Sequence, residues 1–286
     1  MISFPTQGLG EKIVDALRTG PFKTGDLIQY LREKKVKGTI QGIYKSLRVL
    51  RKQHIVLMQK KEVVLNQSWL RQMGDFAALA EHAYRHPASD SGHFLQMQDG
   101  DRITYEFKDP IQVDIFWNHV LYVLFDALPK VDRWYAYASH CWFLLGRRKD
   151  ELALRDYMVN KGICYLFTVG NKTPLDRLVA KDFDRVNSKY HMLEKPLFPK
   201  RKNSLGLVLN IVGDYVIEAQ YDKHITDRIE QFYKTNTIIN PEKTSELQAI
   251  VSLPSRIKFT ITKDAEKAAK LSRMFEKNFY FKKQKL

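Results

Sequence analysis

The stretch Thr39-Ile40-Gln41-Gly42-Ile43-Tyr44-Lys45-Ser46-Leu47-Arg48-Val49-Leu50 decides how the first part of this chain folds. Thr39 is a favourable N-cap residue, so we predict a helix that begins after it and runs to about Gln53. Its apolar residues recur at i, i+3, i+4, i+7 and i+10, which gives an α-helix one apolar stripe. We expect the whole stripe to face inward: Ile40, Ile43, Tyr44, Leu47 and Leu50.

The opposite side of this helix is polar and basic. Gln41, Lys45, Arg48 and Lys52 fall on one face. A helix of this kind fits the major groove of DNA, with its N-terminal side chains at the base edges. We expect Thr39, Gln41 and Lys45 to lie nearest the bases and Gly42 to allow close approach to the DNA. The phosphate contacts are predicted for Arg48, Arg51 and Lys52.

The neighbouring segments place this helix in a winged helix-turn-helix. Two short helices are predicted before it, at residues 11–18 and 25–34, and two β-prone runs follow, at 55–58 and 63–65. Residues 59–62 form the predicted hairpin tip, or wing. Three lysines flank the turn before the third helix: Lys34, Lys35 and Lys37. Lys60 and Lys61 occupy the wing tip, where a contact to the DNA backbone or the minor groove is expected.

The positive charge is concentrated in the first quarter of the chain. The net charge is +15, and residues 1–72 hold 14 Lys+Arg against 5 Asp+Glu, a net of +9. The remaining 214 residues share +6. A local basic excess favours a polyanionic partner, here double-stranded DNA. The alternative is a solvated basic face on a purely structural helix.

Residues 39–50 are also similar to the recognition helix of TrmB-type transcription regulators, with its T-x-x-x-V-Y-x-x-L-x-x-L pattern. The hairpin and Ser68-Trp69-Leu70 fit as well. The resemblance covers about residues 10–72, and element order extends it over 100–235. In that family a winged-helix domain precedes a ligand-sensing domain that is related to the phospholipase D fold and has lost catalysis. The resemblance implies the same arrangement here.

The rest of the chain predicts a larger α/β domain. We divide the sequence into a winged helix-turn-helix at 1–72, a linking helix and loop at 73–92, and an α/β effector or dimerisation domain at 93–286. Gly213-Asp214 forms the turn of a predicted hairpin, and a polar linker is expected around Asn240-Pro241. The predicted strands are 102–107, 134–138, 163–169 and 256–262; the predicted helices are 110–128, 149–160, 173–186, 225–234 and 265–277.

No catalytic motif stands out in this second domain. The His-x-Lys-x-x-x-x-Asp pattern of phospholipase D chemistry is absent at all eight histidines, and neither GxGxxG nor GxxxxGK[ST] occurs. We therefore expect no enzyme activity and no cofactor. A zinc site from His140, Cys141, Cys164 and His191 lacks ligand spacing, so buried structural cysteines are favoured. A charged helix face is favoured over a two-metal site for Asp176, Asp182 and Asp184.

Two loops of the second domain are candidates for binding a small effector. Arg147 and Arg148 follow an apolar, strand-like segment, and Asn171, Lys172 and Thr173 lie between a predicted strand and a helix N-terminus. Such loops lie at the carboxyl ends of strands in open α/β sheets, where helix N-termini attract anions. An anionic or sugar effector is the corresponding hypothesis; ordinary turn and cap chemistry is the alternative.

The remaining expectations concern compartment and assembly. Two cysteines, no leader-like N-terminus and no apolar run of about 20 residues favour a cytoplasmic protein without a membrane segment. One recognition helix reads few base pairs, so a homodimer is expected. Two rival functions stay open: a nuclease-like enzyme that the winged helix targets to nucleic acid, and the DNA-binding antitoxin half of a toxin–antitoxin or phage-defence pair.

Overall fold

A computed structural model describes residues 8–85, 90–128, 130–183 and 188–279. The chain divides into two compact units, Met1–Tyr84 and Arg85–Leu286. The division falls within the segment 73–92 that the sequence analysis assigned to a link. Both units mix helices with an antiparallel or mixed sheet, so the protein is of the mixed α/β class.

The first unit packs three helices against a small antiparallel sheet whose strand order is β1-β3-β2. Its core comes from all of these elements and includes Ile13, Leu27, Leu47 and Val63, each completely buried. A longer helix, α4, follows the sheet. The elements are α1 (Leu9–Leu17), β1 (Phe22–Lys23), α2 (Thr24–Glu33), α3 (Ile40–Lys52), β2 (Val56–Gln59), β3 (Glu62–Leu65) and α4 (Gln67–Arg85).

The hairpin of this unit is tighter than the sequence analysis predicted. Gln59 and Glu62 pair with each other, so the tip contains two residues, Lys60 and Lys61, instead of four. The short strand β1 was not predicted. It pairs with β3 because the chain between α1 and α2 runs alongside the hairpin, with Phe22 opposite Val63. Two residues carry too little periodic pattern to indicate a strand.

The second unit is built on a seven-stranded mixed sheet with the order β4-β10-β9-β8-β5-β6-β7. β5, β6 and β7 are parallel to one another, and the other neighbours are antiparallel. The strands are β4 (Arg102–Phe107), β5 (Arg133–Ala138), β6 (Cys164–Val169), β7 (Ser188–Met192), β8 (Leu207–Val212), β9 (Tyr215–Gln220) and β10 (Ile257–Lys263). The helices are α5 (Pro110–Ala127), α6 (Trp142–Gly146), α7 (Arg148–Asn160), α8 (Pro174–Phe183), α9 (Lys223–Thr235), α10 (Pro241–Val251) and α11 (Ala265–Glu276), with 3₁₀ turns at Asp90–Gln96 and Ser204–Gly206.

Each face of the sheet carries its own core, because side chains alternate along a strand. In β5, Trp134 and Ala136 belong to a large core that also includes residues of α5 and α9. Tyr135 and Tyr137 belong to a smaller core completed by Phe275 of α11. The strand is buried on both sides and therefore lacks the polar alternation of a surface strand.

Two predictions for this unit were wrong, and one strand was missed. The apolar segment before Gly146 is the short helix α6 and not a strand, and the expected polar linker is the helix α10, which Asn240 caps by accepting a hydrogen bond from the Lys243 amide. β7 was missed because its sequence, Ser-Lys-Tyr-His-Met, is polar for a sheet edge. α8 ends at Phe183, and the predicted residues 184–186 lie outside the described part of the chain.

Candidate nucleic-acid interface and buried polar clusters

Helix α3 presents a polar and basic side to solvent. It begins where expected: the Thr39 hydroxyl accepts a hydrogen bond of 3.0 Å from the Gly42 amide. Thr39 is thereby committed to positioning the helix. The helix buries only Ile43, Leu47 and Leu50. Its exposed side carries the predicted DNA-contacting residues Gln41, Lys45, Arg48, Arg51 and Lys52, and Lys37 is exposed in the turn before it.

Two residues of the predicted inward stripe lie outside the core. Ile40 is 42% exposed and Tyr44 is 44% exposed. An α-helix turns about 100° per residue, so Ile40 and Tyr44 stand about 60° and about 100° from the buried Ile43. The core of this small unit covers a narrower part of the helix than the apolar stripe spans. Sequence periodicity shows which side of the helix is apolar, but it does not show how much of that side the rest of the unit covers. The exposure of Ile40 and Tyr44 could therefore not be predicted from the sequence.

Gly42 has a different neighbour from the one the sequence analysis expected. A Cβ atom added there would lie 3.3 Å from the Thr39 hydroxyl and 3.5 Å from Leu9 Cδ2 of helix α1. The space that this glycine leaves open is therefore filled by the N-cap side chain and by α1. Thr39 and Leu9 therefore approach Gly42 closely from within the first unit, which argues against a contact between the Gly42 backbone and DNA.

The hairpin tip holds two lysines in an unusual backbone conformation. Lys60 has φ 46° and Lys61 has φ 69°, both in the left-handed region. Positive φ at both positions is what a two-residue type I′ turn requires, and glycine or asparagine normally supplies it. The Lys61 carbonyl accepts hydrogen bonds from the Thr24 amide at 2.7 Å and from its hydroxyl at 2.8 Å. These bonds tie the tip to the start of α2 and leave both lysines exposed.

The basic side chains of this surface have no acidic partners among the described residues. Among the described side chains of the first unit, Arg18 and Asp15 of α1 form an ion pair at 3.7 Å. No ion pair between described residues engages the cations of α3 or of the hairpin tip. Their charge is therefore available to an external anion, and it is solvated in the free protein.

The five candidate effector-binding residues of the second unit are all engaged within the protein. Arg147 donates hydrogen bonds to Asp114 at 2.5 Å and to Asp150 at 2.7 Å. The other four bond as follows: Arg148 to Asp182, Lys172 to Glu194, Asn171 to Glu230, and Thr173 to Asp176. Since each donor group faces a carboxylate, the two loops present little free positive charge to an anion.

A charged cluster that the sequence analysis missed lies at the carboxyl ends of β5 and β6. His140 follows β5 and is almost completely buried; its Nδ1 lies 3.0 Å from Asp176 and its Nε2 lies 2.9 Å from Glu230. Asn171 donates to Glu230 at 3.3 Å, and the ring of Tyr233 stacks on the imidazole with a centroid distance of 4.0 Å. Asp176 is completely buried, so the prediction that it belongs to a charged surface face was wrong.

The two carboxylates determine the charge of this histidine. Burial alone would lower the pKa of His140, but the hydrogen bonds and charges of Asp176 and Glu230 raise it above its usual value. Burial would raise the pKa of Glu230, but the His140 hydrogen bond and charge lower it. The two carboxyl groups thus favour the protonated form of His140. The carboxylates stand at opposite ring nitrogens, and among the described residues no His, Cys, Asp or Glu group converges to hold a metal ion.

One sequence signal could have located part of this cluster. Thr173-Pro174-Leu175-Asp176 has the Thr-x-x-Asp spacing of a capping box. The structure has both reciprocal bonds: the Asp176 amide donates to the Thr173 hydroxyl at 3.3 Å, and the Thr173 amide donates to the Asp176 carboxylate at 3.0 Å. A carboxylate fixed at a helix start beside the end of β5 is well placed to meet His140. Nothing in the local sequence indicated Glu230.

A small cavity of about 30 Å³ lies over the same face of the sheet. Aromatic rings form much of its wall, including Trp134 and Tyr165, which stack at 3.7 Å. The buried carboxyls Asp114 and Glu151 also line it. Burial raises the pKa of Glu151 to about 8, and the charge of Asp114 adds to this shift. Burial also raises the pKa of Asp114 to about 6, although the charge of Arg147 lowers it in part. A cavity of this size holds about two water molecules.

Neither cysteine belongs to a group of described side chains that could hold a metal ion. Cys141 is buried and lies 3.6 Å from the Tyr190 hydroxyl, while Cys164 is half-buried at the start of β6. His191 lies on the edge strand β7. In the described ranges, every helix is too short or too polar to span a lipid bilayer.

The chain is thus a two-unit mixed α/β protein with a basic helix-and-hairpin surface on its smaller unit. No family model matches it. A tRNA dimethylallyltransferase of Thermosipho africanus (strain TCF52B) is 33% identical over 107 residues. These residues are 35% of this chain and 34% of that protein, so the chain spans about a third of the length of this relative.

Two solved structures resemble the chain at a TM-score of 0.32 each. One is TrmBL2, described as an archaeal chromatin protein with a novel mode of DNA binding; it is 10% identical, and the match covers 94% of this chain and 90% of TrmBL2. The other is NucT from Helicobacter pylori, 15% identical, with 62% of this chain and 96% of NucT covered.

Proposed function

We propose that residues 1–72 form a winged helix-turn-helix that binds double-stranded DNA sequence-specifically, and that the protein acts as a transcriptional regulator. The observation that carries this proposal is the exposed row of unpaired cationic and amide side chains on α3, in the same small unit as the paired lysines of the hairpin tip. Such a surface suits a polyanion with a groove as wide as a helix.

In the proposed complex α3 lies in the major groove. Gln41 and Lys45, near its N-terminal end, contact base edges, and Arg48, Arg51 and Lys52 contact phosphates. Lys37 approaches the backbone beside the turn. Lys60 and Lys61 contact the backbone or the minor groove from the wing. Two chains bind each operator as a homodimer, since a single recognition helix reads too few base pairs.

We propose that the second unit, Arg85–Leu286, supplies dimerisation or ligand sensing and has no catalytic role. His140 supports this view: it is buried, and both of its ring nitrogens face carboxylates, so it offers no free lone pair to act as a nucleophile or base. The pairing of the cations in the two candidate loops favours a sugar over an anionic effector. A shift in the melting temperature with a panel of sugars and sugar phosphates tests this point.

The experiment for DNA binding compares two pairs of charge-removing substitutions. Lys60→Gln with Lys61→Gln should weaken binding to every duplex and reduce the slope of log affinity against log salt by about 2 for each bound chain, because each chain loses two phosphate contacts. Gln41→Ala or Lys45→Ala should instead change which sequences are enriched from a random duplex library. Electrophoretic mobility shift at several salt concentrations and library selection are the measurements.

The matched control removes the same charge elsewhere. Lys258→Gln with Lys270→Gln takes two exposed lysines from the second unit and should leave both the affinity and the salt slope unchanged. If the hairpin pair and this control pair reduce binding equally, the interaction depends on net charge alone and the docking model is wrong.

A further inference from the structure

The exposed apolar side chains of α3 have no role in the core of their unit. The core is closed by Ile43, Leu47 and Leu50, each at most 3% exposed. Ile40 and Tyr44 stand outside it on one flank of the helix, one helical turn apart, so their side chains are neighbours on the surface. Single exposed apolar residues are common on protein surfaces, but a pair at the start of a basic helix is a local feature.

The surroundings of this pair are polar and cationic. Gln41 and Lys45 follow Ile40 and Tyr44 in the sequence and are exposed. The Arg48 side chain lies back along the helix and its Nε donates to the Tyr44 carbonyl at 3.4 Å, which places the guanidinium beside this flank. An apolar pair among cations complements a surface that is anionic at its edges and has apolar groups at its centre.

The major groove of DNA has that character. Phosphates line its edges, and the 5-methyl group of thymine is the apolar group that its floor presents. Ile40 is the first residue of α3, and the N-terminal residues of a helix in the major groove are those that reach the base edges. We propose that Ile40 and Tyr44 contact thymine 5-methyl groups, so that the protein selects operators with thymine at one or two fixed positions.

This inference rests on the proposed DNA binding, and a substitution in the DNA separates the two. The preferred duplex is first selected from a random library with the full-length protein. Each thymine is then replaced by deoxyuridine, which lacks only the methyl group and keeps all hydrogen-bonding groups. At one or two positions we expect the wild-type affinity to fall about fourfold per methyl group, the factor that burying one such group contributes.

The protein variants identify the residues that sense the methyl group. Ile40→Ala and Tyr44→Ala should bind the thymine and deoxyuridine duplexes with equal affinity at the sensitive positions. Val49→Ala is the matched control, because Val49 lies on the other flank of α3 and is 46% exposed; it should retain the wild-type discrimination. All three side chains are exposed, and circular dichroism with the unchanged salt slope checks that α3 and the phosphate contacts persist.

Three results would overturn the inference. One is equal wild-type affinity for all thymine and deoxyuridine duplexes; another is loss of discrimination in Val49→Ala to the same extent. The third is a change in sedimentation of the free protein on Ile40→Ala with no change in discrimination, which would assign the pair to contacts between copies of the chain. If no duplex is enriched or bound at all, the proposed function itself fails.

Discussion

At the scale of single residues, the buried carboxyl of Glu151 shows how packing changes chemistry. Glu151 is 6% exposed, and Asn118 hydrogen-bonds to it. Burial is the largest cause of its raised pKa, about 8, and the nearby Asp114 adds to it. In the unfolded chain this carboxyl titrates near its usual value of 4.5. The folded state therefore keeps a proton that the unfolded state releases, and folding weakens as pH rises between these two values.

Glu151→Gln should remove this pH dependence, since glutamine preserves the shape and does not titrate. We expect the variant to match the wild type near pH 4.5 and to become more stable than it as pH rises to about 8, by an amount on the order of a few kcal/mol. Urea unfolding across this pH range is the measurement. Glu242→Gln, at an exposed position of α10, should leave the wild-type profile unchanged. If the free energy of unfolding varies with pH in the same way for Glu151→Gln and for the wild type, the raised pKa of Glu151 is contradicted.

At the scale of secondary-structure elements, the hairpin tip combines backbone strain with positive charge. An L-residue in the left-handed region costs about 1–2 kcal/mol relative to its preferred conformation, and both Lys60 and Lys61 adopt it. Asparagine and glycine at these positions would suit the turn better. The hairpin thus keeps two lysines where turn geometry disfavours them, as expected if the charges are needed for contact with DNA.

Replacing the pair by Lys60→Asn and Lys61→Gly should separate stability from binding. The free energy of unfolding of the first unit should rise by about 1 kcal/mol because the turn is relieved of strain. DNA affinity should fall as it does in the Lys60→Gln and Lys61→Gln variant, which keeps the strain. Chemical denaturation and mobility shift measure the two effects, and a stabilised variant with wild-type affinity would remove the tip from the interface.

At the scale of the whole molecule, the chain forms two units with separate cores, so calorimetry of the full chain should record two transitions. Thr39→Ala removes the N-cap of α3 and should lower the free energy of unfolding of the first unit by about 1 kcal/mol, so that only the transition of this unit moves to lower temperature. Glu151→Gln, at pH 8, should raise the melting temperature of the second unit only. Thr39→Ser keeps the capping hydroxyl and should leave both transitions in place. A single transition that moves with every variant would show that the units unfold together.

The sequence by itself determined much of the first unit, because its signals are local. The i, i+3, i+4 spacing after Thr39 located α3, and the β-prone runs around Lys60 located the hairpin. It also indicated the basic surface, since charge and helical phase are both read from the order of residues. In the second unit it predicted β4, α5 and the β8–β9 hairpin within a residue or two.

The tertiary structure alone decided which side chains are covered and which residues meet across the fold. The number of α3 side chains that are buried depends on the width of the surface that packs against the helix. The apolar spacing predicted that Ile40 and Tyr44 face inward, but both lie outside the core. His140, Asp176 and Glu230 are separated by 36 and 54 residues along the chain and come together only where β5, α8 and α9 pack. Burial and pairing of charges are properties of that packing, because the cost of a charge depends on the neighbours that replace water around it.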